Sequence, residues 1–342
     1  MNLPIEPPFP PMEAKSVRDL PTGDGWAWEP KWDGFRCIAF RDGDDIELQS
    51  KSGRPLARYF PEVVDTVRAI GADRFVLDGE IVLPVDGELS FEHLQLRLHP
   101  AESRVRKLAA EIPAILIVFD LLVTPDGESL LERPFTDRRR ALESFVKERV
   151  DAEAPIHVSP QTTDRDTAQQ WLKGIRGGVD GVMAKRMEHP YASGARTAMC
   201  KIKRMRSADC VVGGFRYGTK DDFVGSLLLG LYDDDGVLHH VGFTSGLKAS
   251  EKPALTEKLR EYEGPPGFTG RAPGGPSRWS TERSGDWVPL RAELVVEVEF
   301  DHYSEGRFRH GTRLLRWRPD KAPEQCTLDQ VRKTGQASLD LL

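Results

Sequence analysis

The sequence predicts an α+β fold over residues 1–206 followed by a small β-barrel of the OB type over residues 207–342. Three observations carry this. A chain of 342 residues exceeds one small core and fits two domains. Up to Arg206, strand-like and helix-like segments alternate, as in a domain that mixes sheets and helices. From Ala208 onward, short strand-like segments surround a single helical stretch, which suits a Greek-key barrel.

In chain order, Phe35–Phe40 and Ile46–Gln49 flank Arg41-Asp42-Gly43-Asp44-Asp45, a hairpin pattern. Pro61–Ile70 has helical apolar spacing, a proline at its start and Gly71 at its end. Phe75–Leu83 reads as a strand interrupted by Asp78-Gly79, and Ser90 caps a helix reaching Leu98. Ala114–Val123 is an apolar run between Pro113 and Pro125, the pattern of a buried strand. Thr136–Val150 and Thr163–Gly174 are amphipathic helices, and Val182–Lys185 and Cys200–Lys203 are short strands. The second domain offers strands at Cys210–Phe215, Ser226–Tyr232, Val237–Phe243, Leu294–Phe300 and Arg313–Arg316, with a helix at Ser250–Tyr262. A Gly- and Pro-rich loop spans Gly264–Asp286 and carries Arg271, Arg278, Trp279 and Arg283, cationic and aromatic groups suited to nucleic acid.

Composition narrows the class. Hydrophobic residues make up 39% and charged residues 30%, as in a soluble globular protein. No apolar run approaches the roughly 20 residues of a membrane span. The first residues lack the basic and apolar regions of a secretory signal. Cys37, Cys200, Cys210 and Cys326 are too scattered for a zinc site or a disulfide framework, so reduced cytoplasm is the expected compartment. Net charge is −6, yet Arg196–Arg206 and Arg307–Arg318 are basic stripes without an acid, where phosphates can bind.

The chemistry centres on Glu29-Pro30-Lys31-Trp32-Asp33-Gly34-Phe35-Arg36. A lysine amine there can attack the α-phosphorus of a nucleotide and hold it covalently. Free lysine has a pKa of about 10.4, so the nucleophile needs burial or nearby cations to become neutral. Arg36, Lys185, Lys201 and Lys203 are the candidate cations. Leu77-Asp78-Gly79-Glu80 places a carboxylate, Glu80, beside a glycine for close ligand approach, suited to a ribose hydroxyl or a metal. Phe119, in Val118-Phe119-Asp120-Leu121-Leu122, is a core residue or a stacking platform. Asp180-Gly181-Val182-Met183-Ala184-Lys185 pairs a carboxylate for a metal or for Lys31 with a lysine for phosphate. Strand alternation puts Val182 and Ala184 on one face and Met183 and Lys185 on the other. Lys201 and Lys203 point the same way, which suits a polyphosphate. Arg316–Lys321 concentrates cations and one carboxylate in the second domain.

These motifs in series resemble the covalent nucleotidyltransferase superfamily, and within it the small bacterial ATP-dependent DNA ligases of the LigC type. The resemblance runs from Pro11–Lys15 to Lys321. It implies a nucleotidyltransferase (adenylation) domain followed by an OB-fold domain, in a nick-sealing enzyme that uses ATP and Mg2+ or Mn2+. It implies that Lys31 becomes lysyl-AMP, that Glu29 contacts the adenine amine, and that Arg36 contacts the sugar and later the nick. Glu80 then binds ribose or metal, Phe119 stacks on adenine, and Asp180 helps hold the metal. Lys201 and Lys203 contact the α-phosphate, and Lys51, Lys185 and Arg196 complete the nucleotide contacts. Arg318, Asp320 and Lys321 form the barrel motif that serves lysine adenylation. The implied partners are nicked duplex DNA and DNA repair proteins, for a monomer of the cytoplasm associated with the nucleoid. No separate N-terminal DNA-binding domain is expected. Relatives mostly carry Glu where Asp180 stands and Ser-Arg where Ser50-Lys51 stands, and an aromatic is common at Met199. An RNA ligase, a capping-type guanylyltransferase and a non-enzymatic end-binding scaffold are the competing readings.

Overall fold

The computed structural model describes residues 1–176, 178–219, 222–274, 286–304, 306–332 and 336–342. The chain forms two compact units, Met1–Arg204 together with the chain's last segment, and Met205–Arg332. No described helix is long and apolar enough to cross a membrane.

The first unit contains β1 (Lys15–Val17), β2 (Trp26–Trp32), β3 (Phe35–Asp42), β4 (Asp45–Ser50), α1 (Pro61–Ala69), β5 (Arg74–Val82), β6 (Pro84–Val85), β7 (Glu88–Leu89), α2 (Phe91–Leu96), α3 (Glu102–Glu111), β8 (Ile115–Val123), α4 (Phe135–Arg149), β9 (Ile156–Val158), α5 (Arg165–Gly174), β10 (Ile175–Arg176), β11 (Val179–Arg186) and β12 (Met199–Lys203). One sheet has the order β1-β12-β11-β2 and another β4-β3-β5-β8-β9. In the first sheet, alternation sends Trp26, Trp28, Val182, Ala184 and Ile202 to one face, where they pack with Ala168, Trp171 and Leu172 of α5. Glu29, Lys31, Met183, Lys185, Met199 and Lys201 are the intervening residues and take the opposite face. The second sheet packs Cys37, Ala39 and Leu77 with Val63 and Val67 of α1. Its other face supplies Ile38, Phe40, Val76 and Leu122, which meet Met12, Tyr191 and Met199. The sequence pattern missed α3; its short apolar stripe buries only Val105 and Ala109.

Three Asp-Gly steps bring backbones unusually close. A Cβ on Gly34 would lie 2.2 Å from Ile81 O, on Gly79 2.6 Å from Ile117 O, and on Gly181 2.0 Å from Ile202 O. The registers β5–β8 and β2–β11 both shift at these steps. Arg74–Val82 is therefore one bulged strand, where the sequence pattern read Phe75–Leu83 as interrupted.

The second unit contains β13 (Arg206–Tyr217), β14 (Val224–Tyr232), β15 (Leu238–Thr244), α6 (Lys252–Arg260), β16 (Val288–Pro289), β17 (Val295–Phe300), β18 (Tyr303–Ser304), β19 (Arg307–Phe308) and β20 (Arg313–Trp317). The sheet order is β15-β14-β13-β17-β20, around a core that includes Phe215, Leu227, Val241 and Val296. The two edges of this path meet: Thr312 N donates to Phe243 O at 3.2 Å, and Thr244 Oγ1 donates to Thr312 O at 3.0 Å. An isolated bridge thus links the edges of an otherwise open sheet, where the sequence pattern suggested a barrel. After it, β21 (Gln336–Ala337) pairs in parallel with β10, so the tail groups with the first unit. Residues 275–285 of the Gly264–Asp286 loop, with Arg278, Trp279 and Arg283, lie outside the described residues.

The tight contact at Gly79 predicts that Gly79→Ala loses about 1–3 kcal/mol of unfolding free energy, since backbone rather than a flexible side chain blocks the new methyl. Urea denaturation checks this; an unchanged midpoint would show that β8 can step aside.

Candidate active site

A cavity of about 210 Å³ opens in the first unit, lined by Glu29, Lys31, Arg36, Lys51, Glu80, Phe119, Lys185 and Lys201, with Glu13, Met183 and Met199 among the rest. Eight residues singled out from six separate sequence motifs therefore share one cavity. Lys203 lies on β12 opposite Gly181 and does not line it. Arg196 also stays outside the lining.

Lys31 Nζ lies 2.7 Å from Asp180 Oδ1. The two meet because β2 and β11 are antiparallel neighbours, with a bulge between Val179 and Val182. Burial disfavours the Lys31 ammonium, but Asp180, with Glu80 and Asp33, outweighs it and holds the amine above its ordinary pKa. This corrects the sequence expectation of a lysine neutralised by cations. Its nearest charges are carboxylates, so the resting amine is protonated.

Glu80 stands in the opposite condition. Burial dominates over the attraction of Arg36 and Lys31, and its pKa rises to about 7. Its Oε1 accepts from Gly34 N at 3.2 Å, the backbone that the Asp33-Gly34 step presses against β5.

Arg36 is fixed by a two-pronged contact to Asp78, Nε to Oδ1 at 2.5 Å and Nη2 to Oδ2 at 2.5 Å. Tyr191 Oη donates to Asp78 Oδ2 at 2.6 Å and accepts from Met12 N at 3.0 Å. The Arg36 guanidinium then lies 4.6 Å from the centre of the Phe119 ring. Phe119 is 8% exposed, and that remainder faces the cavity.

At another part of the cavity Glu29 and Lys185 form a buried pair, with Lys185 Nζ 2.9 Å from Glu29 Oε2 and 3.0 Å from Oε1. Lys185 also donates to Phe119 O at 3.3 Å and lies 4.7 Å from the Phe119 and Phe135 ring centres. Burial raises the Glu29 pKa against the pull of Lys185 and Arg139, and lowers that of Lys185 against the pull of Glu29 and Asp120. The Lys185 ammonium is committed to Glu29, where the sequence reading assigned it to phosphate.

Lys201 faces the cavity opposite Met183. Burial lowers its pKa first, and Lys31, Lys51 and Lys203 lower it further. Such a cluster gains from an anion placed among its members. Glu13 gathers two other predicted residues: Lys51 Nζ is 3.2 Å and Arg196 Nη2 2.9 Å from its Oε2. In the second unit, Arg318 binds Asp320 (Nη2 to Oδ2, 2.9 Å) and Asp209 (Nη1 to Oδ1, 2.8 Å), and Lys321 Nζ lies 3.6 Å from Asp209 Oδ2.

Sequence reasoning missed Glu13, Asp78, Asp209, Tyr191 and Arg139. Asp78 stood inside a motif already singled out, so its carboxylate was available as a partner for Arg36. Arg139 is one of three successive arginines in α4 and carried no local signal.

The chain matches the family model for an ATP dependent DNA ligase domain over residues 11–203 and that for an ATP dependent DNA ligase C terminal region over residues 220–321. It is 46% identical to DNA ligase C2 of Mycolicibacterium smegmatis, covering 97% of this chain and 96% of the relative. It is 44% identical to DNA ligase C of Mycobacterium tuberculosis, covering 99% and 98%. A solved structure from work on Lig E DNA ligases is similar in fold, with a TM-score of 0.54 and 17% identity over 90% of this chain and 99% of that one.

Glu80 makes stability pH-dependent. The unfolded chain ionises it from its ordinary 4.5, while the folded chain keeps the proton up to about 7, so stability is lost as pH rises through that window. In metal-free buffer, Glu80→Gln is expected to remove a loss on the order of 1–3 kcal/mol between pH 5 and pH 8. Parallel urea curves for both proteins at every pH would exclude this.

Proposed function

This chain belongs to the ATP-dependent DNA ligases, and from that premise we propose that it seals nicks bearing a 5′-phosphate and a 3′-hydroxyl in duplex DNA, in the setting of DNA repair. It is an enzyme that uses ATP. In the proposed sequence Lys31 Nζ forms a P–N bond to the α-phosphorus while the α–β P–O bond breaks and pyrophosphate leaves. AMP then passes to the 5′-phosphate, and the 3′-hydroxyl displaces it.

The observation that carries this reading is Lys31, paired with Asp180 behind it, in a cavity that also holds Glu29, Glu80, Phe119 and Lys201. Lys31 must lose a proton before it attacks, and Asp180 is the group in contact through which the proton can leave. Glu29 and the Phe119 ring are assigned to the adenine base. Lys201, crowded by like charges, is assigned to the α-phosphate with Lys203. Arg36 is assigned to the sugar, and Arg318, Asp320 and Lys321 to the first step.

A divalent metal fits the chemistry of the donors. Glu80 and Asp180 both act on Lys31, and among the described residues no group of three or more His, Cys, Asp or Glu forms a cage. Two hard oxygen donors without a third suit Mg2+, which takes one or two carboxylates and completes its shell with water and substrate phosphates. Held by Glu80 and Asp180, it would supply positive charge to the phosphate oxygens. Lys31, Asp180 and Lys201 do the remaining work of attack, proton removal and orientation.

Incubation with α-labelled ATP is expected to give label that survives denaturation, is absent in Lys31→Ala, and is chased by a 5′-phosphorylated DNA nick into sealed product. Asp180→Asn is expected to slow labelling about 10²- to 10⁴-fold. Label retained in Lys31→Ala, or transferred only to RNA ends, would defeat the proposal.

A further inference from the structure

Arg139 has no role in the chemistry described so far, yet its geometry ties it to Glu29. It sits on α4, and its side chain is only 10% exposed. Its Nε donates to Glu143 Oε1 at 2.6 Å, which anchors the guanidinium. That leaves Nη1 buried without a hydrogen bond, 3.7 Å from Glu29 Oε1. Glu29 is 2% exposed. The charged groups facing it are Lys185 from β11, Arg139 from α4 and Asp120 from β8. Asp120 is itself neutralised by Arg138, Nε to Oδ1 at 2.8 Å and Nη2 to Oδ2 at 2.9 Å.

We infer that Arg139 is a positioning residue for nucleotide choice: with Lys185 it keeps Glu29 a carboxylate, an acceptor that selects a purine carrying an exocyclic amine over one carrying a carbonyl. The inference rests on the assignment of Glu29 to the base. The chemistry has two sides. An ionised Glu29 accepts from the 6-amino group of adenine and repels the O6 of guanine. A protonated Glu29 presents a donor, which faces the adenine amine unfavourably and suits guanine O6. Burial pushes the proton onto Glu29, and its two cationic partners oppose this. Removing the Arg139 charge leaves Lys185 alone, an ammonium whose own charge burial weakens.

The test uses the full chain with α-labelled ATP and α-labelled GTP, measuring kcat and KM for labelling of Lys31. Arg139→Met is expected to lower the ATP-to-GTP ratio of kcat/KM about 10- to 100-fold. The ratio should recover as pH rises, because Glu29 then loses its proton. Arg139→Lys should restore most of the ratio. Arg139→Gln, which keeps a donor for Glu143 without the charge, serves if Arg139→Met folds poorly, and should match it. Glu29→Gln tests the underlying assignment and should also relax the choice. Equal losses with both nucleotides, or an unchanged ratio, in Arg139→Met and Arg139→Gln while Glu29→Gln relaxes it would overturn the role of Arg139. An unchanged ratio in Glu29→Gln would instead overturn the assignment of Glu29, and this inference with it.

Discussion

Charge enclosed between two sheets has to be neutralised within a few ångströms, because an uncompensated buried ion is far costlier than a paired one. Most of the polar architecture of the first unit answers to that demand. Arg36 meets Asp78, Lys185 meets Glu29, Lys31 meets Asp180 and Arg138 meets Asp120, all at 2.5–3.0 Å. Each pair fixes a side chain that would otherwise be free to rotate, and Asp78 is fixed in turn by Tyr191. Several side chains of the cavity wall are therefore held in place by ion pairs. Removing one partner is expected to damage positioning and stability together. Glu80 answers the same demand by holding its proton up to about pH 7, so a bound cation would change its charge state.

Lys31 shows how such pairing bears on reactivity. Its proximity to Asp180 makes the resting amine a cation, the wrong state for attack. A lysine with this partner is chemically quiet until the carboxylates around it are engaged elsewhere. Phosphate oxygens brought by a nucleotide and positive charge at Glu80 and Asp180 would both alter that balance. On the proposed reading, the amine becomes a nucleophile only when the site is filled.

Some of this was legible in the sequence. Alternation alone placed Met183 with Lys185 and Lys201 with Lys203, because a strand's two-residue period is local information. The partners were not legible in the same way. Lys185 and Glu29 are 156 residues apart, and nothing near either one specifies the register that joins them. The pairing of Lys185 with Glu29 went unread for that reason: alternation gives the face of a side chain, not the carboxylate waiting on the next strand. Arg139 was invisible because α4 carries Arg138, Arg139 and Arg140 in succession. Arg138 is buried on Asp120 and Arg140 is 79% exposed, a difference set wholly by tertiary packing.

The recurrent Asp-Gly dipeptide joins two demands that have separate causes. Each glycine is dictated by architecture: at Gly34, Gly79 and Gly181 a Cβ would come within 2.6 Å of a neighbouring strand's carbonyl. Each aspartate has a different electrostatic task. Asp78 clamps Arg36 and Asp180 pairs with Lys31, while Asp33 adds negative field around Lys31 and Glu80. Close backbone approach lets a carboxylate stand beside a neighbouring strand without a bulky side chain intervening, and the bulge at Gly79 lies directly before Glu80, which lines the cavity. A pattern that repeats in sequence therefore does not mark a repeated function. It marks one backbone solution used three times to set a carboxylate beside a neighbouring strand.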